Sequence, residues 1–186
     1  MSNPLTSRSD GSDLSFSSYA DLFRVSSNGV VSPRITIDGF SPTWLWGDSN
    51  NSERGNYIPH TYDEFPPYIA RIGDIDRDRI EIFELMNSPV DELFLKSLRQ
   101  LQSLNVSGCQ LVSLSIDRNN SLLSLDVSNN QLISSSIDNI IIQLDNFSLK
   151  AGVLCYQSNP QSPTSASSIA YNNLLDKGWV IKGGHV

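Results

Sequence analysis

Apolar and polar positions alternate with a regular beat through residues 83–133. Short apolar–polar–apolar segments are each followed by a polar turn, and most then continue with a further apolar residue. The segments begin at Phe83, Leu93, Leu104, Leu114 and Leu125, so the spacing alternates between 10 and 11 residues. In a strand, the two apolar side chains of a segment point to one face and the residue between them points to the other. Each segment therefore buries a single face, and the pattern predicts units that stack on their neighbours.

The position after each turn predicts a polar ladder inside the stack. Cys109, Asn119 and Asn130 occupy it in three successive segments. An Asn side chain there can point inward and hydrogen-bond the backbone of the turn, and Cys is a common substitute. Since the beat is half of a 20-to-29-residue repeat, two short strands are expected to form one turn of about 21 residues.

The segment SLNVSGCQLVSLSIDRNNSLLSLDVSNNQL, residues 103–132, resembles bacterial and phage leucine-rich repeats built from L-x-x-L-D-V-S-x-N units. The chain that follows resembles a C-terminal capping module that closes such repeats in phage tail proteins. Its parts are a helix, a repeat-like strand, a proline-containing linker, a second helix and a K-G-W strand. In this sequence they fall at Ser136–Phe147, Val153–Asn159, Pro160–Thr164, Ser165–Lys177 and Lys177–Ile181.

The predicted fold class is a mixed β/α fold. It contains a short leucine-rich repeat solenoid with two short parallel sheets and 10–11-residue half-repeats, a helical C-terminal cap, and an irregular β-rich N-terminal region. The predicted domains are an attachment region at 1–70, the repeats at 71–133 and the cap at 134–186.

Residue spacing supports the cap independently of the resemblance. Five apolar residues recur on one helical face. Ser135 is expected to cap the first helix, Thr164 to cap the second, and Gly178 to take the left-handed position that follows it. The apolar face consists of Ile137, Ile140, Ile141, Leu144 and Phe147.

Residues 1–70 hold most of the aromatic residues and prolines but show only weak periodicity. This region has enough apolar area to bind a partner but shows no clear hydrophobic core of its own. We therefore expect it to pack against another protein chain and to anchor the molecule there. The expected assembly contacts are Phe40, Trp44, Trp46, Tyr57, Tyr62, Phe65 and Tyr68.

Composition removes several classes of function. The net charge is −7 and no basic cluster exists, so a nucleic-acid partner is not expected. No apolar run approaches the length of a membrane span, and the polar N-terminus predicts no secretory signal. With two cysteines and two histidines, the chain is expected to hold no metal or cofactor and to be no enzyme.

Two sequence motifs contain residue types that could bind a metal or take part in catalysis. The acidic alternation Asp74, Asp76 and Asp78 lacks the glycine and glutamate of a calcium loop, so self-paired surface charge is the better interpretation. His60 lies near carboxylates but has no identifiable nucleophile beside it, and an ordinary loop histidine is favoured.

Cys109 is expected to be a buried thiol and Cys155 to face outward, and both are expected to be reduced.

The residues between the inward apolar pairs form the candidate binding surface. One sheet should present Glu84, Asn105 and Asp126, flanked by Met86, Ser107 and Ser128. The opposite sheet should present Phe94 and Ser115, flanked by Lys96 and Asp117, with Cys155 continuing that row. A plain solubilising role for these residues is an equal alternative.

The resemblance and the short N-terminal region together predict a non-enzymatic structural or adhesive component of a phage virion, in its tail, baseplate or fibre. Its N-terminal region would attach to the particle, and the repeats would contact a protein or receptor. Other virion proteins, copies of the chain included, are the expected partners. The alternative is a bacterial leucine-rich repeat scaffold or effector; an enzyme using residues 1–70 is the weakest hypothesis.

Overall fold

The computed structural model describes residues 20–37, 41–48, 52–63, 67–73 and 79–184. It is a mixed strand and helix structure with several sheets and few helices. The elements, in chain order, are β1 (Ala20–Val25), β2 (Gly29–Val31), β3 (Arg34–Thr36), β4 (Thr43–Leu45), β5 (Ser52–Arg54), β6 (His60–Tyr62), β7 (Tyr68–Gly73), β8 (Ile82–Glu84), β9 (Val90–Leu93), β10 (Ser103–Asn105), β11 (Ser124–Asp126), α1 (Ser134–Asn146), β12 (Val153–Cys155), α2 (Ser168–Asp176) and β13 (Val180–Lys182).

The largest sheet has six strands in the order β13-β12-β11-β10-β8-β3. Its strands β8, β10, β11, β12 and β13 pair in parallel with their neighbours in the chain. Strands β8, β10 and β11 begin at residues 82, 103 and 124, which is the expected interval of 21 residues. The later intervals are longer because α1 precedes β12 and α2 precedes β13. Leu104, Val106, Leu125 and Val127 are buried, as their alternation predicts.

A polar ladder runs through the interior, as predicted. The Cys109 thiol donates to the carbonyl of Leu85 at 3.0 Å, and Asn130 Nδ2 donates to the carbonyl of Val106 at 2.9 Å. Each donor therefore binds a carbonyl 24 residues earlier in the chain. Asn119 makes the corresponding bond to Leu95 at 3.2 Å. These bonds tie each turn to the one before it and satisfy backbone groups that burial removes from water.

In the turns that follow β8, β10, β11 and β12, a residue with left-handed backbone conformation precedes the position equivalent to Cys109 and Asn130. Asn87, Gly108, Asn129 and Ser158 have φ of 51°, 71°, 53° and 61°. A Cβ at Gly108 would lie 2.2 Å from Asn87 Oδ1, so any larger residue would displace the Asn87 side chain as well as strain the backbone. The repeated turn conformation accounts for the recurrence of Asn and Gly just before the ladder residue.

Two N-terminal strands pair directly with β8 and β9. β3 runs antiparallel to β8, and β1 lies between β7 and β9 in a five-stranded sheet of order β5-β4-β7-β1-β9. Strands on both sides of the boundary expected at residue 70 therefore share two sheets, and buried side chains from both parts form one core cluster.

The side of the stack opposite the six-stranded sheet differs from the prediction of a second parallel sheet. β9 pairs antiparallel with β1, and within the described chain residues 111–116 form no strand although Leu114 and Ile116 are buried. The backbone N–H groups of Leu114 and Ile116 are instead taken by Ser136 Oγ at 3.1 Å and Gln143 Oε1 at 3.0 Å. Two side chains of α1 thus accept the backbone hydrogen bonds that a neighbouring strand would accept in a parallel sheet.

The C-terminal helices pack as the spacing predicts. Ile137, Ile140, Ile141 and Leu144 are buried beneath α1, and Phe147 packs partly buried against the core. Thr164 caps the 3₁₀ turn Ser165–Ser167 before α2 by accepting from the Ala166 N–H at 3.1 Å, and Gly178 has φ of 81°.

The prediction that Ser135 caps α1 is wrong. The helix begins at Ser134, two residues before the expected Ser136, and the cap position belongs to Ile133, which makes no side-chain cap bond. The Ser134 N–H is bound instead by Gln161 Oε1 at 2.9 Å. Neither α1 nor α2, the helices of the described chain, is long and apolar enough to cross a membrane.

Candidate functional site

The outward residues of the six-stranded sheet form one continuous row. Asn105 pairs in register with Glu84 on one side and Asp126 on the other, as expected. The row extends to Arg34 on β3, whose Nε lies 3.8 Å from Glu84 Oε2. At the other end it continues through Cys155 to Lys182. We call this row, from Arg34 to Lys182, the outward row.

Asn105 and Asp126 are half-buried rather than exposed. Asn105 Oδ1 accepts from the N–H of Ser107 at 3.1 Å and from its hydroxyl at 2.9 Å. Asp126 Oδ1 accepts from Ser128 in the same way, at 2.9 and 2.6 Å. Each side chain folds over the turn that follows its strand and fixes that turn.

Cys155 differs from its prediction in two respects. It lies in the row of Glu84, Asn105 and Asp126, not on the opposite side, because β12 pairs with β11. It is also buried, with 6% exposure, since its short side chain stands between the longer side chains of Asp126 and Lys182.

The second predicted group does not share a sheet. Phe94 follows β9 and is half-buried, whereas Ser115 lies on the strandless segment. Lys96, Ser115 and Asp117 are exposed to solvent. These residues lie on the irregular side of the stack, where α1 side chains bind the backbone.

The N-terminal aromatic side chains form a stacked series inside the chain. Trp44 stacks on Trp46 with centroids 5.2 Å apart, Trp46 stacks on His60 at 4.6 Å, and Tyr62 stacks on Tyr68 at 5.2 Å. Trp44, Trp46 and Tyr62 are at most 1% exposed. The prediction that these three contact another chain is therefore wrong: their rings are covered by this chain's own core. Phe40 and Phe65 lie outside the described residues.

Among the described members of the predicted assembly group, Tyr57 is the exposed one, with 53% exposure. It forms an isolated antiparallel bridge with Arg34, whose guanidinium lies 5.2 Å from the centre of the Tyr57 ring. Tyr57 thereby extends the outward row by one residue beyond Arg34. The predicted domain boundary separates Tyr57 from Glu84, although both lie beside Arg34. The sequence does not indicate this arrangement, because no local pattern predicts that β3 pairs with β8.

His60 belongs to β6 and not to a loop. Its Nε2 lies 2.8 Å from Asp48 Oδ2, and its Nδ1 lies 4.0 Å from Glu53 Oε2. Glu53 Oε2 also accepts from Trp46 Nε1 at 2.5 Å. The carboxylates of Asp48 and Glu53 thus position the imidazole, which stacks on the Trp46 ring.

Metal chemistry finds no support in the described part of the chain, where no group of three or more His, Cys, Asp or Glu could hold an ion. Asp74, Asp76 and Asp78 fall outside the described residues. Burial raises the pKa of the Cys109 thiol to about 11, which keeps it protonated and unreactive at neutral pH.

Compared with known protein families, characterised proteins and solved structures, the chain matches none significantly.

Proposed function

We propose that the chain is a non-enzymatic structural and adhesive component of a phage particle, in its tail, baseplate or fibre. In this proposal the parallel strands are a short leucine-rich repeat solenoid, and the outward row is its contact surface for another protein. The helices α1 and α2 close the C-terminal end of the repeats. The strands before residue 74 close the other end and place Tyr57 on the same surface.

The observation that carries the repeat assignment is the recurrence of one bond in successive turns. Cys109 and Asn130 occupy equivalent positions and bind carbonyls at the same distance back along the chain. Three strands begin at a constant interval and pair in register. Stacked repeats bind partners through the surface that their strands share, since that surface is extended and rigid.

The residue types in the outward row favour a protein partner. Tyr57 and Met86 are exposed near one end, with Arg34 between Tyr57 and Glu84. Tyr, Met and Arg are enriched where proteins meet. The centre of the row carries Asn105 and Asp126, whose conformations are fixed by their Ser bonds, so little side-chain freedom is lost on contact.

Mass spectrometry of purified particles tests the virion assignment. The chain should be found in particles at a constant stoichiometry after washing at high salt. Its absence from particles, with the chain present in the host cell lysate, would contradict the virion role and favour the bacterial scaffold alternative.

Variants of the row test the contact surface separately. Asp126→Arg introduces a long cationic side chain at the centre of the row and should reduce incorporation into particles several-fold. Asn120→Arg is the matched control, because Asn120 is exposed and lies away from the sheet. Thermal melting checks that both variants are folded at the temperature of assembly; equal incorporation of two folded variants would rule out the row as the contact surface.

A further inference from the structure

Asn105 and Asp126 are held in the same conformation at the centre of the outward row. The two residues are register partners on β10 and β11. In each, Oδ1 accepts from the backbone N–H and from the hydroxyl of the serine two residues later. Asn and Asp side chains have the same shape, so the remaining atoms, Asn105 Nδ2 and Asp126 Oδ2, take equivalent positions on neighbouring strands, about 4.8 Å apart.

Neither remaining atom has a hydrogen-bond partner among the described residues. Both are in contact with solvent, because Asn119 Oδ1 is the one polar side-chain atom of the described chain that is at once buried and unpartnered. Asn105 Nδ2 can only donate, whereas the Oδ2 of the Asp126 carboxylate can only accept. The centre of the row therefore presents a fixed donor beside a fixed acceptor.

The serine bonds belong to the two central turns. Ser107 and Ser128 supply them in the turns that follow β10 and β11. In the turns after β8 and β12 the equivalent residues are Met86 and Gln157, which have no hydroxyl group. Those turns contain the same left-handed backbone conformation, so the turn itself does not require a serine. The serines thus add a restraint on the side chains of the central strands.

We infer that Asn105 and Asp126 bind the main chain of an extended segment of the partner protein, which lies across the strands. This inference rests on the proposed role of the outward row as a protein contact surface. An extended residue presents its N–H and its C=O to the same side. Its C=O accepts from Asn105 Nδ2, and its N–H donates to Asp126 Oδ2. This order fixes the direction of the segment, which runs from β11 toward β10 and therefore toward Tyr57.

The order of donor and acceptor distinguishes a main-chain ligand from other polar groups. A hydroxyl group donates or accepts as it rotates, so a carbohydrate would bind either order of Asn and Asp. The amide of a partner Asn or Gln can turn over and would also bind either order. The N–H and C=O of a main chain cannot exchange places. A pair that its serines prevent from adapting suits a ligand whose own order is equally fixed.

Exchanging the two residues tests the inference. The double variant Asn105→Asp with Asp126→Asn keeps the composition, the net charge and the Oδ1 atom that each serine binds, but it reverses the donor and the acceptor. Particles are assembled in hosts that supply one form of the chain, and mass spectrometry counts its copies per particle. The exchange should lower incorporation several-fold, because the partner C=O then faces a carboxylate and the partner N–H faces an amide N–H.

The matched control is the exchange Asp117→Asn with Asn120→Asp, because both residues are exposed and lie outside the six-stranded sheet. It should be incorporated like the unaltered chain. Asp126→Asn alone creates one of the two mismatches and should reduce incorporation less than the exchange does. Circular dichroism melting checks that every variant folds.

Full incorporation of the folded Asn105 and Asp126 exchange, with Asp126→Arg reduced, would overturn this inference and leave the proposed contact surface in place. Full incorporation of both would overturn the contact surface as well. A loss in the matched control equal to that in the exchange would show that the order at the row is not what the partner binds. A loss for Asp126→Asn alone as large as that for the exchange would assign the effect to the charge of Asp126 and also overturn the inference.

Discussion

Arg34 and Glu84 face each other across the antiparallel pairing of β3 with β8, with the Arg34 Nε 3.8 Å from the Glu84 Oε2. One residue belongs to the aromatic N-terminal part of the chain and the other to the first parallel strand. Their pairing shows that the N-terminal part of the chain covers the edge of β8 in the six-stranded sheet. An uncovered edge beside Phe83 would expose backbone groups and core together.

Deletion of residues 1–73 is therefore expected to cause aggregation, because it uncovers the edges of β8 and β9. Size-exclusion chromatography and thermal melting measure the effect. Deletion of residues 1–19 is the control, since every described strand begins at Ala20 or later and should melt as before. A soluble 74–186 fragment that melts cooperatively at the full-length temperature would contradict this expectation.

Asn130→Ala should destabilise the chain by about 2–4 kcal/mol, because it leaves two buried backbone groups without partners. Asn130 donates to the Val106 carbonyl and accepts from the Leu111 N–H at 3.1 Å. Asn130→Cys should cost less, since Cys109 fills the equivalent position. Urea denaturation measures all three free energies of unfolding, and equal losses for Ala and Cys would show that the side-chain donor is unimportant.

Leu125→Ala should cost about 2–5 kcal/mol, as expected for a cavity in a packed core, because Leu125 is 1% exposed. Asp126→Ala, the adjacent substitution, should cost about 1 kcal/mol through loss of its bonds to Ser128. Chemical denaturation of both variants compares the two faces of one strand. A larger loss for Asp126→Ala than for Leu125→Ala would contradict the register.

The chain is expected to lose stability in acid because the carboxylate of Asp145 is stabilised in the folded state. Burial alone would raise the pKa of Asp145, but hydrogen bonds from Lys177 and Asn173 outweigh it and hold the pKa below the ordinary value of 3.8. A lowered folded-state pKa means that the stabilisation is complete above the ordinary value and is lost as pH falls through the folded-state pKa.

Asp145→Asn should therefore lower the melting temperature at neutral pH, and the difference between the two chains should shrink as the pH falls through the folded-state pKa of Asp145. A melting series from pH 2 to pH 7 measures the difference. Asp176→Asn is the control, because Asp176 is exposed and makes no ion pair within the described residues. A difference that is independent of pH would refute the role of the Asp145 charge.

The sequence predicted the parts of the fold that depend on local periodicity. The buried Leu104 and Leu125, the inward Asn130 and the apolar face of α1 follow from spacings within a few residues. Among candidate contact residues, the alignment of Glu84, Asn105 and Asp126 follows from the same interval of 21 residues.

The missed features depend on contacts between distant segments. Trp44, Trp46 and Tyr62 are apolar residues without periodicity, and a sequence cannot show whether such residues pack within the chain or against another. The strand expected at Leu114 is absent because Ser136 and Gln143 of α1 compete for its backbone. Cys155 is buried by its register neighbours on β11 and β13, which a rule based on alternation alone does not include.

The left-handed turn residues have a consequence for how the length of the molecule can change. Asn87, Gly108, Asn129 and Ser158 hold the same conformation although the chain between the last two includes all of α1. Insertions are thus absorbed on the irregular side while the turn is retained. Under the proposed repeat solenoid, duplicating residues 103–123 would add one strand and lengthen the six-stranded sheet by about 4.8 Å. The reach of such a molecule would then grow in fixed increments, one tandem duplication at a time.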